Sequence, residues 1–205
     1  SQGQKPAAES SVSLPALVQA GNLAELKRAL AAAPERVNEV GEDGRSALMW
    51  AAAKGNLPMV TELLSAKGIA VHLGSKKGST ACHAAATNGH EAIVRALAEH
   101  GADVNKQANQ GVTPLCFASR MGHESTVRCL LSLGALPELP GVPADWQPEA
   151  IARRDGHAKL ADYLRAVIDA GGYAHEAAVK AEAERKAVAE AVAKAEAQKA
   201  SEDAY

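Results

Sequence analysis

The sequence predicts an all-α solenoid: helix–turn–helix units stacked in a row, each with a finger loop, followed by one long C-terminal helix. Three observations carry this prediction. A motif recurs with its leading glycines, Gly44, Gly78 and Gly111, spaced 34 and then 33 residues apart. Alanine supplies 46 of the 205 residues while aromatics make up only 3%. A single globular core would be filled with large side chains, whereas thin helices in close contact are not. Runs of β-branched residues are also too few for a sandwich or barrel.

Three copies of the motif align without gaps: GRSALMWAAAKGN at 44–56, GSTACHAAATNGH at 78–90 and GVTPLCFASRMGH at 111–123. Each runs on to an apolar cluster: Val60, Leu63 and Leu64; Val94 and Leu97; Val127, Leu130 and Leu131. Extending the register finds two weaker copies led by Ser10 and Asp145. The units therefore span about 10–43, 44–77, 78–110, 111–144 and 145–172. Residues 1–11 form a polar N-terminal segment, 12–172 the repeat domain and 173–205 a separate extension.

Within a unit the elements follow in order. Thr113 can cap a helix and Pro114 suits its first position. Spacings of three and four, as in Leu48, Ala51 and Ala52, mark one buried helix face. Gly55, Gly89, Gly122 and Gly156 end the first helix where a left-handed residue is wanted. Ile93, Val94 and Leu97 give the second helix its own apolar face, and Gly101 stops it. Residues 103–112 then read as an extended finger turning around Asn109 and Gly111. One unit alone cannot bury its apolar face; stacked units share a continuous core.

The end units carry polar outer faces, with Asn22, Glu25, Lys27 and Arg28 at one end and Arg153, Arg154, Lys159 and Asp162 at the other. Pro137, Pro140 and Pro143 predict an irregular, stiff loop projecting from the finger side. Residues 173–205 lack proline, and past residue 172 there is no glycine. Pairs such as Glu176–Lys180, Glu182–Lys186 and Glu190–Lys194 support a helix. Val179, Val188 and Val192 keep no heptad, which argues against a stable coiled coil. A solvated extension, docking on a partner and self-association through this helix all remain open. Gly171 and Gly172 read either as a hinge or as the stop of the last repeat.

This period and these motifs resemble the ankyrin repeat. The family pattern Gly-x-Thr-Pro-Leu-His-x-Ala-Ala-x-x-Gly-His is best matched at 78–90 and 111–123, and its closing Gly-Ala-Asp-Val-Asn stands intact at 101–105. There are departures: only the fourth unit keeps Thr-Pro, at Thr113 and Pro114, and only the third keeps the motif histidine, His83. The second unit closes with GIAVH and the fourth with GALPE. The resemblance implies that His90, His123 and His157 tie neighbouring units together by hydrogen bonds. It also implies non-catalytic protein recognition, as an adaptor or scaffold, through fingers and the exposed side of the first helices. Carried over by position, the partner-binding candidates are Trp50, Lys54, Lys76, Lys77, Asn88, Asn109, Gln110, Phe117, Arg120, Met121 and Arg154. Trp50 and Phe117 share a repeat position and flank Ala84. They either line a shallow apolar pocket with Met49 and Met121 or pack between helices.

Little else suggests chemistry. A formal charge of −2 and a pI near 6.4 give no footprint for nucleic acid. No apolar run reaches the roughly 18 residues that span a bilayer. Ser1 to Pro6 is polar, unlike a signal peptide. Cys82, Cys116 and Cys129 are odd in number and form no CxxC pair, which suits a reducing compartment and an intracellular, cytoplasmic protein. Small buried packing is the default reading for Cys82 and Cys116, with Cys129 the more exposed. Residues 74–80 fail the spacing of a phosphate loop. The expectation is no catalytic residue, no cofactor and no metal. The alternative is an assembly subunit that docks or oligomerises through the C-terminal helix, with the repeats as spacer.

Overall fold

In the computed structural model, residues 12–172 are described, apart from the side chain of Gln110. The predicted N-terminal segment and the predicted C-terminal helix lie outside the described residues. Within them the chain forms ten α-helices and no strand. Five inner helices, α1 (Leu14–Ala20), α3 (Ala47–Ala53), α5 (Ala81–Thr87), α7 (Pro114–Arg120) and α9 (Pro148–Arg154), have seven residues each. Each pairs with an outer helix: α2 (Leu23–Ala32), α4 (Leu57–Ser65), α6 (Glu91–Glu99), α8 (Glu124–Ser132) and α10 (Ala158–Asp169). Consecutive inner helices pack side by side, and α2, α4, α6 and α8 do the same in the second layer. The α8–α10 step is bridged by Arg128, whose guanidinium lies 3.9 Å from the Tyr163 ring centre.

The inner helices start where short polar residues meet proline. Ser13 Oγ accepts from the Ala16 N–H, and Ser46 Oγ from the Met49 N–H, both at 3.3 Å. Pro114 and Pro148 open α7 and α9. Thr113 precedes α7 but does not cap its backbone; its hydroxyl instead donates to Cys116 Sγ at 3.5 Å. Small residues on the inner helices, among them Ala51, Ala52, Ala85, Ala86 and Ala118, are wholly buried. This is why alanine is abundant here: it lets seven-residue helices approach closely. The outer helices supply the bulk, through Leu26, Leu63, Ile93, Leu97, Leu130 and Leu164.

Two expectations change at the C-terminal end. The proline-rich loop does not project. Gln147 folds it back, its Oε1 accepting from the Leu139 N–H at 2.7 Å and its Nε2 donating to the Leu139 and Val142 carbonyls. Leu139 is thereby 3% exposed and builds a small second core with Cys116 and Ile151. Cys129, expected to be the more exposed thiol, is also 3% exposed, because α8 turns it towards the main core. Gly171 and Gly172 act as the stop of α10, their N–H groups returning to the Ile168 and Val167 carbonyls.

Candidate partner-binding groove

The joints between units fix where the groove residues stand. At the third-to-fourth joint, His123 Nε2 lies 3.1 Å from the Thr87 carbonyl. His90 and His157 repeat this at the Ala53 and Arg120 carbonyls, at 3.3 and 3.1 Å. Each ring covers the glycine that ends the preceding inner helix. Gly89 has φ +74°, and a Cβ there would stand 2.8 Å from the His123 ring. Glycine is needed on both counts.

Asparagine makes a second tie. Asn105 Nδ2 donates to the Gly134 carbonyl at 2.9 Å while its Oδ1 accepts from the Leu136 N–H at 2.8 Å. Asn38 does the same to Gly68 and Ala70. His83, the motif histidine, accepts at Nδ1 from the Thr80 N–H and faces the Val112 carbonyl with Nε2, at 3.1 and 3.2 Å. A neutral ring protonated on Nε2 satisfies both. Burial holds its pKa down to about 4.

Between the fingers and the inner helices run two adjoining clefts. One, of about 490 Å³, is floored by Ala84 and bordered by Met49, Ala53, His83, Thr87 and Phe117. The other, of about 420 Å³, lies between Phe117, Arg120, Trp146, Ile151 and Arg154. Lys77, Ser79 and Phe117 line both, so the two form one groove with Phe117 as the ridge between them. The Phe117 ring meets His83 edge-on at 5.7 Å and lies under the Arg120 guanidinium at 5.2 Å.

The sequence matches the family described as Ankyrin repeats (3 copies) over residues 14–108 and again over 48–140. The chain belongs to the ankyrin-repeat family. It is also 47% identical over 49 residues to inversin of Mus musculus, and 45% identical over 49 residues to inversin of Homo sapiens. Each match covers 23% of this chain and 5% of the inversin. The fifth helix pair, α9 and α10, lies beyond the family match, at the place where the repeat register put a weaker copy led by Asp145.

Ankyrin repeats are generally non-catalytic protein-interaction modules. Burial pushes the Cys82 thiol up to about 12 and raises Cys116 and Cys129, the reverse of an activated nucleophile. Among the described residues no cluster of three potential metal ligands occurs, and no helix is long and apolar enough to cross a membrane.

The eleven candidates divide three ways. Lys77, Asn88, Asn109, Phe117, Arg120 and Arg154 line the groove. Lys76 also borders it, but its ammonium is tied to the Glu42 carbonyl at 2.8 Å and its stem covers Gly44. Lys54 likewise reaches back to the Gln19 carbonyl at 2.7 Å, outside both clefts. Met121 is exposed at 47% but lines neither cleft. Trp50 packs against the main core with the Arg45 guanidinium 4.9 Å from its ring, so the pocket forms from Met49, Ala84 and Phe117 without it. Gln110 sits in the turn at Asn109–Gly111. Among the groove residues that were missed is Trp146, 43% exposed. It occupies the finger position of Arg45, Ser79 and Val112, so the repeat register contained the signal.

Proposed function

We propose that this protein is a non-catalytic adaptor or scaffold that holds a partner protein in the groove between its fingers and inner helices. The observation that carries the reading is the pair of adjoining clefts meeting at Phe117. The residues that join units, Gly–His and Asn, recur at fixed positions. Those facing the groove differ from unit to unit: Ala84, Phe117 and Ile151 at one position, Ala53, Thr87, Arg120 and Arg154 at another. A rigid stack with a varied face loses little freedom on binding, which favours recognition.

Ser79 stands in the wall that both clefts share, so Ser79→Trp fills the groove from its middle. Ser65→Trp, on the exposed side of α4, is the control. Affinity capture from source cells, with the helical circular dichroism of both variants unchanged, is expected to lose the partner for Ser79→Trp alone. Equal capture by both variants overturns the reading.

A further inference from the structure

We infer that the cleft between the fourth and fifth units takes an acidic protein segment carrying one large apolar side chain; this rests on the groove being the partner-binding face. Three cations, Lys77, Arg120 and Arg154, line this cleft, and no carboxylate does. The sign is local, because residues 12–172 carry 16 basic and 16 acidic side chains. The other cleft also has basic side chains, Arg45 and Lys76, but there Asp43 lines the wall and pairs with Arg45, and Lys76 is tied to the Glu42 carbonyl. The repeat position that supplies Arg120 and Arg154 supplies uncharged Ala53 and Thr87 in the second and third units.

The three cations are held differently. Arg154 pairs with Asp155 at 3.0 Å, and the charge of Asp145 also acts on it. Asp155 feels Arg120 as well, and the Arg154 hydrogen bond holds its carboxyl below the usual carboxylate range. These two acids therefore offset part of the positive charge at the α9 side. Among the described residues neither Lys77 nor Arg120 makes an ion pair. The Arg120 guanidinium lies over the Phe117 ring at 5.2 Å, and its N–H groups can take a carboxylate with two parallel bonds.

The apolar requirement comes from the same walls. Phe117, Val112, Ile151 and the exposed Trp146 surround the space, and an all-polar ligand would leave them wet. A polynucleotide fits less well, because it brings many phosphates to a chain of net charge −2.

A displayed library of random twelve-residue peptides tests this against the full chain. Trp50→Phe leaves Trp146 as the sole tryptophan and a fluorescent reporter of the cleft. Selected peptides are expected to be enriched in Asp and Glu around one aromatic or leucine and to shift Trp146 emission. They should bind at least about tenfold more weakly to Lys77→Glu plus Arg120→Glu, two exposed positions whose reversal leaves the circular dichroism unchanged. Groove-binding peptides without acidic enrichment overturn this inference and leave the adaptor reading standing. So do acidic peptides that leave Trp146 emission unmoved, and so does tighter binding of a mixed-sequence twelve-nucleotide RNA than of any selected peptide. A library that yields no groove binder overturns both.

Discussion

The joint between the third and fourth units and the joint between the first and second are built from the same backbone by different side chains. At the later joint, His123 bonds the Thr87 carbonyl over Gly89, Asn105 ties the Gly134 loop, and His83 reaches the Val112 carbonyl. At the earlier one the Asn38 tie is present, but Asn56 stands where the histidine would be. Asn56 caps its own helix, accepting from the Met59 N–H, and nothing covers Gly21. An exposed lysine, Lys54, substitutes by bonding the Gln19 carbonyl. In a stack, stability is a sum over joints, so the N-terminal unit is the one expected to open first. The groove cleft with the concentrated charge sits towards the better-held end.

The sharpest way to break this comparison is to add a methyl to the two equivalent glycines. Gly21 and Gly89 have nearly the same φ, +75° and +74°. Alanine at either meets left-handed strain of about 1–2 kcal/mol. At Gly89 it also displaces the His123 ring and its hydrogen bond, bringing the loss to about 3–4 kcal/mol. Gly21→Ala has open space and should lose only the strain. Urea unfolding of both variants measures the difference; equal losses would mean that the histidine joint contributes nothing.

Acid should strike the well-held joint through His83. In the unfolded chain the imidazole takes a proton near its ordinary pKa of 6.5, whereas in the folded protein it does so near 4. Between those values the unfolded state binds more protons, so stability falls as pH drops from about 6.5 to 4 and this group adds no loss below that. The shift corresponds to about 3 kcal/mol over the window. The cause is burial, which disfavours the charged ring; in addition Nδ1 already accepts from the Thr80 N–H, so a proton there breaks that bond inside the core. The fourth unit carries Cys116 at this position. His83→Cys is therefore expected to lower stability at pH 7 and to flatten its decline towards pH 4. An unchanged pH slope in urea titrations at pH 7 and 4.5 would remove His83 from the account.

The repeat register made the joints legible and the groove only partly so. Gly89 and His123 could be read from a string because their roles follow from helix geometry, which repeats. Lys54 and Lys76 could not, because their side chains are long enough to reach the carbonyls of the preceding unit, and repeat position says nothing about where a flexible ammonium ends. The fold-back of the 136–143 loop escaped for a related reason. Its prolines spoke for stiffness, but its direction is set by Gln147, one side chain making three bonds across the loop. Trp146 was within reach of the register and was overlooked because the fifth unit is the least regular copy.

The smallest expected effect bears on the second-to-third joint, which has its histidine but lacks the asparagine tie. Asn38, His72 and Asn105 occupy one repeat position, and only the asparagines bridge to the next loop. Asn38 reaches a carbonyl 30 residues on and an amide 32 on; Asn105 reaches 29 and 31. The same offset from position 72 points to the Gly101 carbonyl and the Asp103 amide. Asn105→Ala should lose about 1–2 kcal/mol, two net hydrogen bonds at a half-buried site. His72→Asn should return up to about 1 kcal/mol if it forms the tie that Asn38 and Asn105 make. Hydrogen exchange at the amides of α3 and α4 reads this locally: slower exchange in His72→Asn, with α7 and α8 unchanged, would show that the missing tie limits the N-terminal half. No slowing would mean that the joint is already held by its histidine and the packing of α3 on α5, and that the asparagine adds order to the loops without adding stability to the stack.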